Sequence, residues 1–347
     1  MTKWMGLDAA RVGQKAAFEM RRAAGKAKSV CSRRVQGDDP EPCAFQQWLD
    51  RTNGRYDADY PAEWNAFDLP FEGTESRVAV VVHVYYPELL EGLIRGIANV
   101  PVPCDVYVTN ASDVHVDAEA FRVGNVQNAV VLPVKNHGRD IAPLVYVVNA
   151  GYLAPYDLVL KVHTKESAWR EDHTTLPGTG EQWRNDLLSA LVGSEEQVKE
   201  ILTAFAQDPR LGAVGGPGTV LGPEYWGGDF ELVQELGRRL GLSFPADSLE
   251  FVSGSMYWIR GFILQGLRAL CMHGFDFHDE DGQVDATTAH ALERLIGLLA
   301  VEAGLSNVET TALAPERPGD VAISTWERFL PGVALQPAAT YIPFYLP

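Results

Sequence analysis

Two short stretches gather the side chains able to do chemistry. Asn136, Gly138, Arg139 and Asp140 lie within residues 135–143, and Lys161, His163, Lys165 and Ser167 follow within residues 158–167. The second stretch opens on Leu158, Val159 and Leu160, an apolar run of the kind a buried strand requires. Strand side chains alternate between faces, so Lys161, His163 and Lys165 are expected on one side. Cations converging at the end of a buried strand suit a bound anion. Residues 144–153, between the two stretches, are apolar enough for a short helix. Arg139 and Asp140 then fall at its N-terminal side, where unpaired backbone N–H groups also favour anions. Each stretch alone has a plainer explanation as well. Lysines protect edge strands, and an Asn-x-Gly triplet is often only a turn.

The elements that must position these residues recur as strands separated by helical segments. Residues 78–84 (Val-Ala-Val-Val-Val-His-Val) read as a buried strand, and 87–100 as a helix with Leu89, Leu90, Leu93, Ile94 and Ile97 at helical spacing. Further strands are expected at 104–110, 130–134 and 158–163, helices at 181–192 and 195–206, and strands at 211–216 and 249–256. Residues 262–270 read as helical, 275–284 as an acidic loop, and 285–303 as a long helix capped by Asp285 or Thr287. Alternation of this kind gives an α/β domain with a mostly parallel sheet flanked by helices. Ligands of such sheets bind outside the carboxyl ends of the strands. His83 and Tyr85, Asn110 and Ser112, Asn136 to Asp140, and His163 to Ser167 all fall there.

Composition narrows the function. The chain has 347 residues, 46% hydrophobic and 22% charged, with a formal net charge of −17. That balance describes a globular protein and speaks against general nucleic-acid binding, which relies on phosphate contacts. A local cationic cluster can still hold a small anion. Cys31, Cys43, Cys104 and Cys271 are scattered without a CxxC pair, which argues against a zinc site or disulfide framework and for a reducing cytoplasm. No apolar run reaches the roughly 20 residues of a membrane helix.

Four segments are expected. Residues 1–34 are basic and alanine-rich, a packing helix or linker, or else a helix lying on an anionic membrane face. Residues 35–76, with Trp48, Tyr56, Tyr60, Trp64, Phe67 and Phe71, should cover a face of the next domain. The main domain is placed at 77–305, and 306–347 reads as a linker and the start of another domain.

Nucleophile and phosphate motifs such as GxSxG, HExxH and the Walker loop are missing. Glycines 215, 216 and 218 read as a plain turn. What remains is a set in fixed order: Asn136-x-Gly138-Arg139-Asp140, Lys161-x-His163-Thr164-Lys165-x-Ser167, Gly254-Ser255-Met256-x-Trp258 and Asp285-x-Thr287-x-x-His290-Ala291-x-Glu293-Arg294. Together these resemble the rhamnan-synthesis protein F family, glycosyltransferases of bacterial surface polysaccharides, over residues 77–305. The resemblance implies a variant of the GT-A nucleotide-sugar fold. It also implies inverting transfer of L-rhamnose from dTDP-β-L-rhamnose to a growing, lipid-linked or free, glycan acceptor. His83, Tyr85, Asn110, Asn136, Gly138, Arg139, Asp140, Lys161, His163, Lys165 and Ser167 are then expected on the nucleotide sugar.

A family 2 glycosyltransferase carries a metal-binding Asp-x-Asp after the strand at 158–162. Lys161-x-His163-x-Lys165 stands here instead, so no cofactor is expected and side-chain cations would neutralise the departing diphosphate. An inverting transfer needs a base on the acceptor hydroxyl. Asp285 is the candidate, with Asp281 and Glu280 as alternatives; a helix cap is its competing role. Trp258 is either a sugar platform or a core side chain, Arg260 binds phosphate or is solvated, and His290 binds acceptor or packs on Asp285. Residues 341–347 resemble the opening strand of a WbsX-like domain related to glycoside hydrolase family 99, which implies further domains in a longer protein. An inactive nucleotide- or carbohydrate-binding module is the alternative to an active enzyme.

Overall fold

The computed structural model describes residues 58–67, 70–164, 180–283 and 285–313. Strand β1 is Val78–Val84, buried along its whole length, as a strand covered on both faces must be. Helix α1 (Leu90–Ile97) follows a short 3-10 turn and buries Leu93 and Ile97. Then come β2 (Cys104–Asn110), β3 (Val126–Pro133), α2 (Ile141–Asn149) and β4 (Leu158–His163). The next elements are α3 (Gly180–Val192), α4 (Glu195–Gln207), β5 (Leu211–Gly215), β6 (Val220–Leu221) and α5 (Phe230–Arg239). The chain continues through β7 (Phe251–Val252), β8 (Tyr257–Arg260), α6 (Gly261–Gln265), α7 (Thr288–Glu302) and β9 (Ser306–Glu309).

Seven strands form one sheet in the order β3-β2-β1-β4-β8-β5-β9. β8 runs antiparallel to both neighbours, β4 and β5; the other pairings are parallel. The fold is therefore α/β with a mostly parallel sheet between helices. Strand alternation divides the core. Val80, Val82, Leu160 and Trp258 pack with α1, α3 and α4 on one face. Val81, Val159, Tyr257 and Ile259 pack with α2, α5, α6 and α7 on the other. Lys161 and His163 continue the Val159 side of β4, on the face of α2 and α7.

Several boundaries differ from those expected. The run 249–256 is not one strand. Gly254 (φ 80°) and Ser255 (φ 58°) are left-handed and break it. Only Phe251 and Val252 pair, with β6, while Tyr257–Arg260 enters the main sheet. The long helix begins at Thr288, not Asp285, because Ala286 is left-handed (φ 62°) and Thr287 is the extended N-cap. The sheet also runs past residue 305, since β9 pairs with β5. Part of the aromatic segment is described: Trp64 is fully buried, donates to the Pro133 carbonyl at 2.8 Å and stacks on Tyr152. The basic N-terminal stretch and the C-terminal run at 341–347 lie outside the described residues.

Candidate active site

In the sheet order, β1 lies between β2 and β4, and the chain reverses its direction of travel there. Such a switch opens a crevice at the strands' carboxyl ends. One hydroxyl fixes its two lips. Thr164 Oγ1, just past β4, accepts from the backbone N–H of both Tyr85 and Tyr86, each at 2.9 Å. Thr164 N–H in turn donates to the His83 carbonyl at 3.0 Å. His83 is buried and its Nδ1 meets Thr109 Oγ1 at 3.0 Å. Asn110 closes the turn after β2, donating to the Val114 carbonyl and accepting from Ser112.

The centre of the site is an ion pair. Lys161 is 1% exposed, and its ammonium donates to Asp140 Oδ2, to the Ser255 carbonyl (2.8 Å) and to Ser255 Oγ (2.6 Å). Those three contacts use the three donors of an ammonium. Lys161 was expected to face a bound anion; the structure turns its charge onto Asp140 and the strained 254–255 turn. Burial would raise the Asp140 carboxyl, but Lys161 and His163 outweigh it and hold the group well below its usual range. His163 Nε2 lies 3.0 Å from the Gly254 carbonyl, so both β4 side chains clasp one turn.

Asp140 is the N-cap residue of α2, and the preceding turn is shaped for this spot. Gly138 has φ 67°, and a Cβ there would meet Ala142 at 2.5 Å and Phe277 at 2.7 Å. Arg139 is left-handed (φ 58°); its N–H donates to Glu280 Oε1 at 2.8 Å and its guanidinium to the Gln283 carbonyl. Gly138, Arg139, Phe277, His278, Glu280 and Thr287 line a small cleft open to solvent. Arg139, Ser255 and Ala286 are thus three left-handed non-glycine residues around one locus. Each such conformation costs about 1–3 kcal/mol and persists where the surroundings impose it, characteristically at functional sites.

Asp285 sits in a closed network. Its Oδ2 accepts from Gly228 N–H at 2.9 Å and its Oδ1 from Arg294 at 3.0 Å. Arg294 also pairs with the fully buried Asp229 at 2.9 Å. Burial raises Asp229 well above the carboxylate range, in spite of Arg294 and with help from Asp285. Asp285 is pulled down: its burial is outweighed by Asp229, Arg294 and Gly228 N–H. Of the two carboxyls, Asp229 takes up a proton more readily and Asp285 stays ionised to lower pH. The expected open base is therefore an occupied, buried carboxylate, and it caps no helix.

Other expected residues are placed elsewhere. Trp258 is fully buried in the core, its indole N–H on the Leu191 carbonyl at 3.1 Å. Arg260 pairs across from Leu158, at the opposite end of β4, and binds the carbonyls of Leu211, Phe205 and Asp208. It is neither solvated nor near the crevice. His290 Nδ1 meets Thr287 Oγ1 at 2.8 Å; burial and then Arg139 and Arg294 lower it to about 3, so the imidazole is neutral. Asn136 is exposed. Lys165 and Ser167 lie outside the described residues.

Glu293 and Thr164 stand in the quoted motifs without an assigned role, and Asp229 was not singled out. A signal existed for the first: Glu293-Arg294 is a charged pair inside the otherwise apolar helix α7. Among the described residues no group of three or more His, Cys, Asp or Glu is arranged to hold a metal ion.

Fold and site together define an α/β protein with a strained, charged site at the switch point of its sheet. The chain belongs to the rhamnan synthesis protein F family, whose model matches residues 66–305. It is 32% identical over 277 residues to the "Uncharacterized protein WxcX" of Xanthomonas campestris pv. campestris strain B100, covering 79% of this chain and 38% of the relative. The WxcX of strain ATCC 33913 gives the same identity and coverage. The chain thus spans 38% of the length of these curated relatives. Family membership ties it to polysaccharide synthesis and implies, at that coarse level, a glycosyltransferase-like role. No helix among the described residues is long and apolar enough to cross a membrane.

Proposed function

We propose that the domain transfers L-rhamnose, with inversion, from dTDP-β-L-rhamnose to a growing surface glycan. The observation that carries this reading is the crevice at the carboxyl ends of β1 and β4, closed by Thr164 and flanked by the strained 138–140 and 254–255 turns. A GT-A-like nucleotide-sugar domain uses such a sheet, and the lone antiparallel β8 suits that architecture. In this reading the nucleotide lies over the ends of β1 and β2, near Tyr85 and Asn110. The diphosphate turns towards Arg139, and the sugar towards Glu280. Without Asp-x-Asp, and with Lys161 spent on Asp140 and Ser255, the Arg139 guanidinium and backbone N–H groups carry the leaving-group charge. The acceptor glycan is presented at the inner face of the membrane, where the basic residues 1–34 supply attraction.

The test is calorimetric titration of the chain with dTDP in EDTA. Binding without added metal is expected. Affinity that appears only with Mg²⁺ or Mn²⁺ would contradict the metal-independent form of the reading. A binding module without catalysis is favoured by one observation, the closure of Asp285 within the Arg294 network.

A further inference from the structure

The closure of Asp285 leaves an inverting transfer without its expected base, and α7 offers another carboxyl. Glu293 stands one helical turn beyond His290 on α7. It is partly exposed, whereas its neighbours Leu292 (0%) and Arg294 (2%) are shut in the core. Among the described residues no hydrogen bond or ion pair occupies its carboxyl.

Its surroundings are the charged centre of the site. Ala289, one turn before it on the same face of α7, lines the cleft beside Gly138 and Arg139. The charges that act on it are those of Arg294 on its own helix, Asp140 and Arg139 at the N-terminus of α2, and Lys161 on β4. The Tyr257 phenol on β8 in turn feels its charge. His290, on the same helix, is neutral. Asp140 and Lys161 largely cancel through their ion pair. Arg294 is matched by Asp285 and Asp229. Glu293 is therefore a half-buried carboxyl in a nearly charge-balanced wall.

We propose that Glu293 is the group that takes the proton from the acceptor hydroxyl. The assignment rests on the glycosyl-transfer reading. As the acceptor oxygen forms its bond to the anomeric carbon, its proton passes to a Glu293 carboxylate oxygen. The bond between the anomeric carbon and the diphosphate oxygen breaks, and its electron pair leaves with the nucleoside diphosphate. Charge and atoms balance without a further reagent. The Asp285–Arg294–Asp229 network then has a positioning role, anchoring the start of α7 against the Gly227–Gly228 turn.

Burial raises Glu293 from 4.5 to about 7; Asp140 adds to the rise, while Arg294, Lys161 and Arg139 oppose it. A base is most effective when its value lies near the working pH. Turnover should therefore rise with pH along a limb centred near 7, as Glu293 loses its proton.

The experiment compares wild type, Glu293→Gln and Glu293→Asp. The assay uses dTDP-β-L-rhamnose with a rhamno-oligosaccharide acceptor, and melting curves and dTDP titrations run alongside. Glu293→Gln should lose about 10²–10⁴ in kcat, keep its dTDP affinity and lose the rising pH limb. Glu293→Asp should recover part of the rate with a displaced limb. Near-normal transfer by Glu293→Gln overturns the assignment while leaving the transferase reading intact. A second measurement is independent of turnover: carbon NMR of glutamate-labelled protein should find one carboxyl titrating near 7 that vanishes in Glu293→Gln. A wild type that binds dTDP but transfers no sugar contradicts the transferase reading. A Glu293 carboxyl titrating near its ordinary 4.5 contradicts the base assignment itself.

Discussion

Lys161 shows how a residue's type can be read correctly and its role misjudged. A lysine on a buried strand suggested a ligand anion, but the nearest anion is internal. Its ammonium is held by Asp140 and both oxygens of Ser255, in a space closed to water. Replacing it with methionine keeps the length of the side chain and leaves Asp140 buried without its counter-charge. Removing one partner of a buried pair costs about 3–5 kcal/mol. Lys161→Met should therefore lower the midpoint of chemical denaturation by that equivalent. A variant as stable as wild type would show that Lys161 is free for a ligand after all. The role was illegible because one strand's pattern gives the face of a side chain, not its partner. Asp140 lies 21 residues away in sequence and Ser255 94.

At the scale of elements, the starts of α5 and α7 are joined by Arg294, which pairs with both Asp229 and Asp285. The two carboxyls carry opposite shifts, and this predicts opposite responses. Asp285 is depressed, so its contribution is present above its unfolded value of 3.8 and is lost as pH falls through the folded one. Asp229 is raised, so its contribution is full below 3.8 and is lost as pH rises towards the folded value. Asp229→Asn removes the carboxyl that protonates more readily and should cost less stability than Asp285→Asn. The latter removes the more readily ionised carboxylate on Arg294 and should cost about 3–5 kcal/mol. Equal losses would contradict this ordering of the two carboxyls. This latch explains why the helix boundary was misread. Asp285 looked like a cap from its place before an apolar run, yet its oxygens are engaged by Gly228 and Arg294, contacts no local pattern reports. The β1, β2 and β4 strands, by contrast, were legible to the residue. Each is a short run of buried side chains between polar turns, and burial on both faces of the sheet leaves that run no other stable place.

At the scale of the whole molecule, a sheet between two helical layers holds one strained corner rigidly. The alternation of strands and helices carried the fold class, because parallel strands need crossovers and those crossovers need apolar faces. It could not carry the insertion of β8 between β4 and β5, pairings whose partners lie 96–102 and 42–46 residues apart. The acid–base centre was hidden for a similar reason: a helix charge is ordinary until the fold sets Asp140, Lys161 and Arg139 around it. The central claim is that this corner moves a sugar with inversion. Its most direct test is proton NMR of a reaction containing the chain, dTDP-β-L-rhamnose and a rhamno-oligosaccharide. The account predicts release of dTDP matched by a new α-linked rhamnose on the acceptor. A product retaining the β-configuration, or bound donor left unconsumed, would contradict it.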